Sequence, residues 1–460
     1  MRTECKTKRM KFQGFDKREL IMQYDGGYIT SDGGGVLLKE VDRRLGIIKK
    51  LAACFKDYRD NKRIKYSVEE LLMQRIYGLA LGYEDLNDHD ELRWDENMKV
   101  LCREKIEKGK TIAGKSTLNR LELTELEAGK ESRYKKILMD FKKVDDLFVE
   151  VFIESRREVP EEIVLDLDAT DDPLHGDQEG KFFHGYYKEY CYLPLYIFCG
   201  NDILCARLRK SNIDASEGSV EELERIVRII RGSWPRVKII IRGDGGFCRE
   251  KIMVWCERNN VDYVVGLPKN SRLNEIIEED MIEAEIMQRK IGRASRVYGD
   301  FLYNTLKSWS KKRRVISKAE YLLRGGNPRF IVTSLSKDIG AKEVYEKIYC
   351  ARGEMENRIK EQQLCLFADR TSTSKMRSNQ IRLYFSSIAY MLVNALRRFG
   401  LKGTKMSKAM CDTIRLKLFK IGAQIKTTVR KVWVSATEGY PYKDIFTRVY
   451  KNLMAMPLLL

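Results

Sequence analysis

Four carboxylates crowd the end of one apolar segment: Asp166, Asp168, Asp171 and Asp172 in "VLDLDATDDPLHG", residues 164–176. Hydrolysis or transfer at a phosphodiester needs the phosphate charge neutralised and a nucleophile activated, and two divalent cations about 3.5–4 Å apart do both. Hard Mg²⁺ takes carboxylate oxygens, which must converge from separate elements. Two further places supply them. Asp244 in "IRGDGGF" directly follows an apolar segment, where glycines leave room for a substrate backbone, and Glu356 sits in "YCARGEMENRIKEQQ". At 100° per residue, Tyr349, Arg352, Glu356, Lys360 and Gln363 all lie within roughly 40° of the direction of Glu356 on a helix. That stripe presents a hydroxyl, a guanidinium, a carboxylate, an ammonium and an amide. It is a poor core face and a suitable surface for a metal-bound phosphate. A charged stripe by itself is more often merely solvated, and the two segment-end aspartates shift that balance.

The elements that must carry these residues follow from periodicity. Residues 35–150 read mainly as helix: "SVEELLMQRIYGLALGY" opens with a capping box of Ser67 and Glu70 and repeats apolar residues at helical spacing. "GKSTLNRLE" starts another helix, with Ser116 expected as its cap; Lys115, Asn119 and Arg120 suit either a DNA groove or ordinary solvent. Pro160 marks a boundary, after which strands are expected over 162–168, 190–200 and 203–211, the last two joined by a Gly-Asn-Asp turn. A helix with a second capping box, Ser219 and Glu222, precedes the strand "VKIIIRGDGGF"; a further helix and the strand "VDYVVGLP" follow. Strand–strand–strand–helix–strand–helix–strand describes a mixed five-stranded sheet with flanking helices, the order of the ribonuclease-H-like fold. Alternation puts Val164, Asp166 and Asp168 on one face of the first strand, so periodicity does not choose between the two aspartates. Asp168 ends the strand, Asp166 lies one pleat deeper, and Asp171 and Asp172 are expected as solvated turn residues.

Bulk properties narrow the partners. The chain has 460 residues, 86 Lys+Arg against 67 Asp+Glu and a net charge of +19, which suits a polyanion. Eleven Lys/Arg with a single acid fall between Arg397 and Lys431, and "KKRR" (Lys311, Lys312, Arg313, Arg314) follows Trp309, a candidate to stack on an unpaired base. No segment approaches the ~20 apolar residues of a membrane span, and the N-terminus lacks the apolar centre of a signal peptide. The cysteines show no metal or disulfide spacing. The three histidines show no ligand spacing. No Gly-x-Ser-x-Gly elbow supports a serine hydrolase, and "SDGGG" lacks the Gly-Lys-Ser/Thr of a phosphate loop, so no nucleotide cofactor is expected.

In combination these motifs resemble a known group. Tyr349, Arg352 and Glu356 match the Tyr-x2-Arg-x3-Glu part of a signature found in bacterial insertion-sequence transposases with an Asp-Asp-Glu triad. The signature ends in Lys seven residues after the Glu; this chain has Gln363 there, with Lys360 one turn after Glu356. "LDLDATDDPLHG", "GYYKEYCYLPL", "IRGDGGF", "ENRIKE" and "LFKIGAQI", with the N-terminal "TSDGGGVLLKEVDRRLG", are similar to the thirteen-eighty family of insertion sequences across nearly the whole chain.

The resemblance implies a metal triad of Asp168, Asp244 and Glu356 holding Mg²⁺ or Mn²⁺, two ions in all, with Tyr349 and Arg352 on the phosphate backbone. It implies an enzyme that cuts at insertion-sequence ends and joins the 3′ hydroxyl to target DNA, working as a homodimer on DNA in the bacterial cytoplasm. The expected organisation is a helical DNA-binding and dimerisation region (1–158) and a first part of the catalytic core (159–269). An insertion before the last catalytic helix (270–341), the final helical part of the core (342–400) and a basic DNA-binding region (401–460) complete it. The rival readings are a DNA endonuclease that does not join strands and a catalytically silent transposase-derived DNA-binding protein.

Overall fold

A computed structural model describes residues 9–15, 18–105 and 109–458. The chain divides into two compact units, one formed by residues 1–138 together with 392–460 and the other by 139–391.

The first unit joins the two ends of the chain. Its helix Val68–Leu81 begins at the expected capping box, with the Ser67 and Glu70 side chains and backbones bonded reciprocally. The basic C-terminal segment carries strands: Ala423–Thr427 pairs with Val432–Ala436 on one side and Ile29–Thr30 on the other. "SDGGG" is the joint. A Cβ on Gly34 would stand 1.7 Å from the Leu418 carbonyl oxygen, so only glycine lets the two backbones meet there. The helix Lys115–Glu122 starts two residues earlier than expected, capped by Gly114 and not by Ser116. Among the described residues no helix is long and apolar enough to cross a membrane.

The second unit is a mixed sheet flanked by helices. Its strands are β1 (Glu162–Ala169), β2 (Asp172–Pro173), β3 (Phe182–His184), β4 (Glu189–Tyr192), β5 (Leu195–Cys199), β6 (Asp202–Arg207), β7 (Lys238–Gly243), β8 (Asp262–Leu267), β9 (Ser295–Tyr303), β10 (Arg313–Leu322), β11 (Gly325–Gly326) and β12 (Arg329–Thr333). The five strands expected to share a sheet do so, in the order β6-β5-β1-β7-β8. β5 and β6 pair antiparallel and β1, β7 and β8 run parallel. The sheet does not stop at five strands. The insertion continues it through β12, β10 and β9, with β11 on β10, to make nine strands among the described residues. The expected strand 190–200 is broken at Leu193-Pro194 into β4 and β5, because proline has no N–H to give a ladder.

Alternation along β1 and β7 sorts the residues. Ile163, Leu165 and Leu167 with Ile239 and Ile241 enter a core shared with the helices α1 (Phe141–Glu154), α2 (Ser219–Ser233) and α3 (Glu250–Arg258). Leu223, Ile226 and Ile230 of α2 are fully buried there, each worth about 1.5–3 kcal/mol of burial. The second expected capping box is not formed. Gly218, in the left-handed conformation at φ 76°, caps α2, while Glu222 is drawn into ion pairs with Arg207 and Arg225. The other face of β1 carries Asp166 and Asp168, and a run of helical turns over 341–365 supplies Tyr349, Arg352, Glu356 and Gln363. That run is irregular: wide π turns at Val344–Tyr349 and Glu361–Cys365 flank a tight turn and the helix α4 (Gly353–Lys360). Such turns concentrate at functional sites.

Candidate active site

Asp166 and Asp168 share a face, one pleat apart, and meet different arginines. Register pairs Asp166 with Arg242 across β1 and β7. Arg242 donates to both Asp166 oxygens, through Nε and, at 2.7 Å, through Nη2, and donates Nη1 to the Ile348 carbonyl. Burial raises the Asp166 carboxyl and the guanidinium pulls it back down. Asp168 has no such fork. Arg352 approaches it with Nη1 at 3.6 Å, an ion pair beyond hydrogen-bond length, and donates Nη2 to Glu356 Oε1 at 2.7 Å. Burial lifts Asp168 to about 6; Arg352 lowers it, while the charges of Asp244 and Glu356 raise it. Carboxylates from two other elements therefore act on Asp168 through space, with one guanidinium between it and Glu356.

Asp244 leaves the end of β7 and caps the turn that follows, accepting from the Gly246 amide at 2.8 Å. The site closes on Tyr349. A Cβ on Gly266, in the neighbouring β8, would lie 2.7 Å from the Tyr349 hydroxyl and 2.9 Å from the Gly245 nitrogen. Glycine at 266 thus lets the hydroxyl reach the turn that presents Asp244. Burial raises the Tyr349 hydroxyl, against the pull of Arg352. Lys360, on the same expected stripe, is exposed. Gln363 reaches past the end of β1, its Nε2 donating at 3.1 Å to the Asp171 carbonyl and to Asp172 Oδ1.

That contact corrects one expectation. Asp172 is no solvated turn residue: it is fully buried in β2, one carboxyl oxygen has no partner among the described residues, and burial raises it well above the ordinary carboxylate range. The two-residue strand β2, paired with β4, drew it inside, and pairing so short leaves no periodicity to read.

The block after β9 is also corrected. Trp309 is 8 % exposed and packs edge-on to Tyr303 in the sheet core, so it offers no face to a base. Arg313 and Arg314 point to opposite sides of β10, a strand flanked by β9 and β12, and both are buried. Arg313 meets Glu250 and Glu257 of α3 at 2.7 Å. Arg314 pairs with Asp300 at 2.7 Å and donates to the carbonyls of Leu335, Ser336 and Ile339. Lys311 shares Glu257 at 3.0 Å, and only Lys312 is left exposed without an ion pair among the described residues of the four. Acids distant in sequence neutralise the block, so a count of neighbouring charges overstates its field.

Among the described residues, no three carboxylate, imidazole or thiol side chains stand close enough to hold a metal ion as placed. Strand-end carboxylates at Asp168 and Asp244 and the helix carboxylate of Glu356 thus face one region of the second unit. The family model described as "Transposase DDE domain group 1" matches residues 12–458, and the chain belongs to that family. It is a family of DNA phosphoryl-transfer enzymes. No curated protein matches the sequence. A solved structure, the piggyBac transposase synaptic complex with hairpin DNA, is similar over 85 % of this chain and 80 % of that one, at 12 % identity and a TM-score of 0.43.

Proposed function

We propose that this chain is the transposase of an insertion sequence, cutting DNA at the element's ends and joining the freed 3′ hydroxyl to target DNA. The observation that carries the reading is Arg352 set between Asp168 at the end of β1 and Glu356 on α4, with the charge of Asp244 at the end of β7 also felt at Asp168. The strand order β6-β5-β1-β7-β8 supports a ribonuclease-H-like core into which β9–β12 are inserted. The positions Tyr349, Arg352 and Glu356 support the broader signature group, and "LDLDATDDPLHG", "GYYKEYCYLPL" and "IRGDGGF" support assignment to the thirteen-eighty family within it.

The donor set suits a hard divalent cation, being all carboxylate oxygen, and a cationic guanidinium already rests between two of its members. Mg²⁺ or Mn²⁺ bound by Asp168, Asp244 and Glu356 would neutralise phosphate charge and lower the pKa of an attacking water or hydroxyl. Arg352 must release Glu356 for that set to assemble; the freed guanidinium is then placed to hold a phosphate oxygen. Glu356, 44 % exposed, is the member with room to turn. Tyr349, seated on Gly266, positions the backbone next to Asp244. The helical part of the first unit and the basic hairpin over 423–436 would hold the DNA ends, two chains acting together in the cytoplasm.

The test is to incubate purified protein with the DNA flanking its own gene, Mg²⁺ or Mn²⁺ and a supercoiled target. Cleaved ends joined to target are expected. Cleavage without joining, even from pre-cut ends, would leave the endonuclease reading; neither product from a folded protein that binds the ends would leave the DNA-binding one.

A further inference from the structure

Between β1 and β5 the chain makes a three-stranded ribbon, in the order β2-β4-β3, whose surface is aromatic. Phe183 and Tyr190 stand directly opposite each other across β3 and β4, edge to face at 5.5 Å, and are 56 % and 50 % exposed. The Lys181 ammonium lies 4.8 Å above the Tyr190 ring. At the turn, Tyr186 is 83 % exposed and meets Tyr187 edge to face at 5.1 Å. Rings this exposed on a short ribbon bury too little to be explained by folding.

The ribbon is nevertheless firmly placed. β2 pairs with β4, and the Tyr187 hydroxyl donates to the Ala169 carbonyl at 3.2 Å. Ala169 is the residue after Asp168, so the aromatic surface is tied directly to the candidate catalytic strand. Flat rings with a cation alongside, fixed next to a phosphoryl-transfer site, match what unpaired nucleotides need: a π-face for each base and positive charge for the backbone. Trp309, the stacking residue anticipated from sequence, is buried in the core; the exposed rings are here.

We infer that the ribbon of β2, β3 and β4 is a stacking platform for unpaired nucleotides of the DNA strand held at Asp168, with Phe183, Tyr190 and Tyr186 taking the bases and Lys181 the backbone. The inference rests on the transposase reading for its partner, yet its test needs no catalysis. In EDTA, fluorescence anisotropy compares the full chain binding a labelled dodecathymidine and a duplex of equal length. The double variant Phe183→Ala/Tyr186→Ala should lose about 10-fold or more in single-strand affinity and about 2-fold or less for duplex. Its melting temperature should be unchanged, since both rings are exposed. In Tyr186→Trp, single strand but not duplex should quench the added indole. Equal losses on both probes, no loss on either, or an unquenched indole would overturn the platform. Because cleavage is assayed separately, single-strand stacking by a chain that cuts nothing would sink the transposase reading and leave the platform standing.

Discussion

Asp166 and Asp168 lie one pleat apart on the same face of one strand, yet they are held in opposite ways. Asp166 is locked: both oxygens accept from Arg242, which also donates to the Ile348 carbonyl. Asp168 is held loosely by an arginine whose better bond goes to Glu356. A carboxylate satisfied by a buried fork fixes two elements to each other and has nothing left for a ligand. One that is held at 3.6 Å beside two like charges is the member proposed above to take a cation. Identical residue type, face and strand are thus held in two different ways through their arginine partners alone.

Substituting each aspartate is the direct way to break this contrast. Asp168→Asn should lower DNA cleavage by at least about 10³-fold, since a lost metal ligand forfeits several kcal/mol of charge stabilisation. Unfolding in urea should stay near that of the unaltered protein. Asp166→Ala should do the reverse in kind. Stranding the Arg242 guanidinium inside costs about 3–5 kcal/mol, read as a lower urea midpoint, and whatever cleavage falls should fall with the folded fraction. If Asp166→Ala leaves stability intact and removes cleavage, the roles are exchanged and the catalytic strand is displaced by one pleat.

Arg313→Ala extends the contrast to the insertion. With Glu250 and Glu257 left facing an empty site, we expect a loss of about 3 kcal/mol in stability and unchanged affinity for duplex DNA. A DNA-affinity loss without destabilisation would return the block to the interface.

Much of this layout was legible because it rests on local pattern. The five core strands, the helices between them and the turn at Asp244 all follow from periodicity and glycine placement. So did the common face of Asp166 and Asp168. What escaped depends on register and distance in sequence. Arg242 is two residues before Asp244, but only the parallel pairing of β1 with β7 sets it against Asp166. Glu250, Glu257 and Asp300 cancel Arg313 and Arg314 from separate elements. The ribbon's motif was visible as "GYYKEYCYLPL"; which of its rings face solvent was not, because two- and three-residue strands show no alternation.

The smallest effect concerns the third aspartate of the stretch. Asp172 is buried with an unpartnered oxygen, and its folded carboxyl is raised well above 3.8. The folded protein therefore binds a proton that the unfolded chain releases above that value. Stability from this group is fully present below pH 3.8 and is lost as the pH rises toward the folded value. Gln363→Lys would put an ammonium where an amide now donates to Asp172, lowering the folded carboxyl and shrinking that loss. Position 363 is half-buried, so the lysine keeps part of its water and the net change near neutrality should be about 1 kcal/mol or less. The slope is the sharper observable. Urea midpoints from pH 5 to 8 should fall less for Gln363→Lys than for the unaltered chain. Parallel slopes would mean that Asp172 is already ionised when folded, and that β1 runs out into three carboxylates held by charge, with none held by its proton.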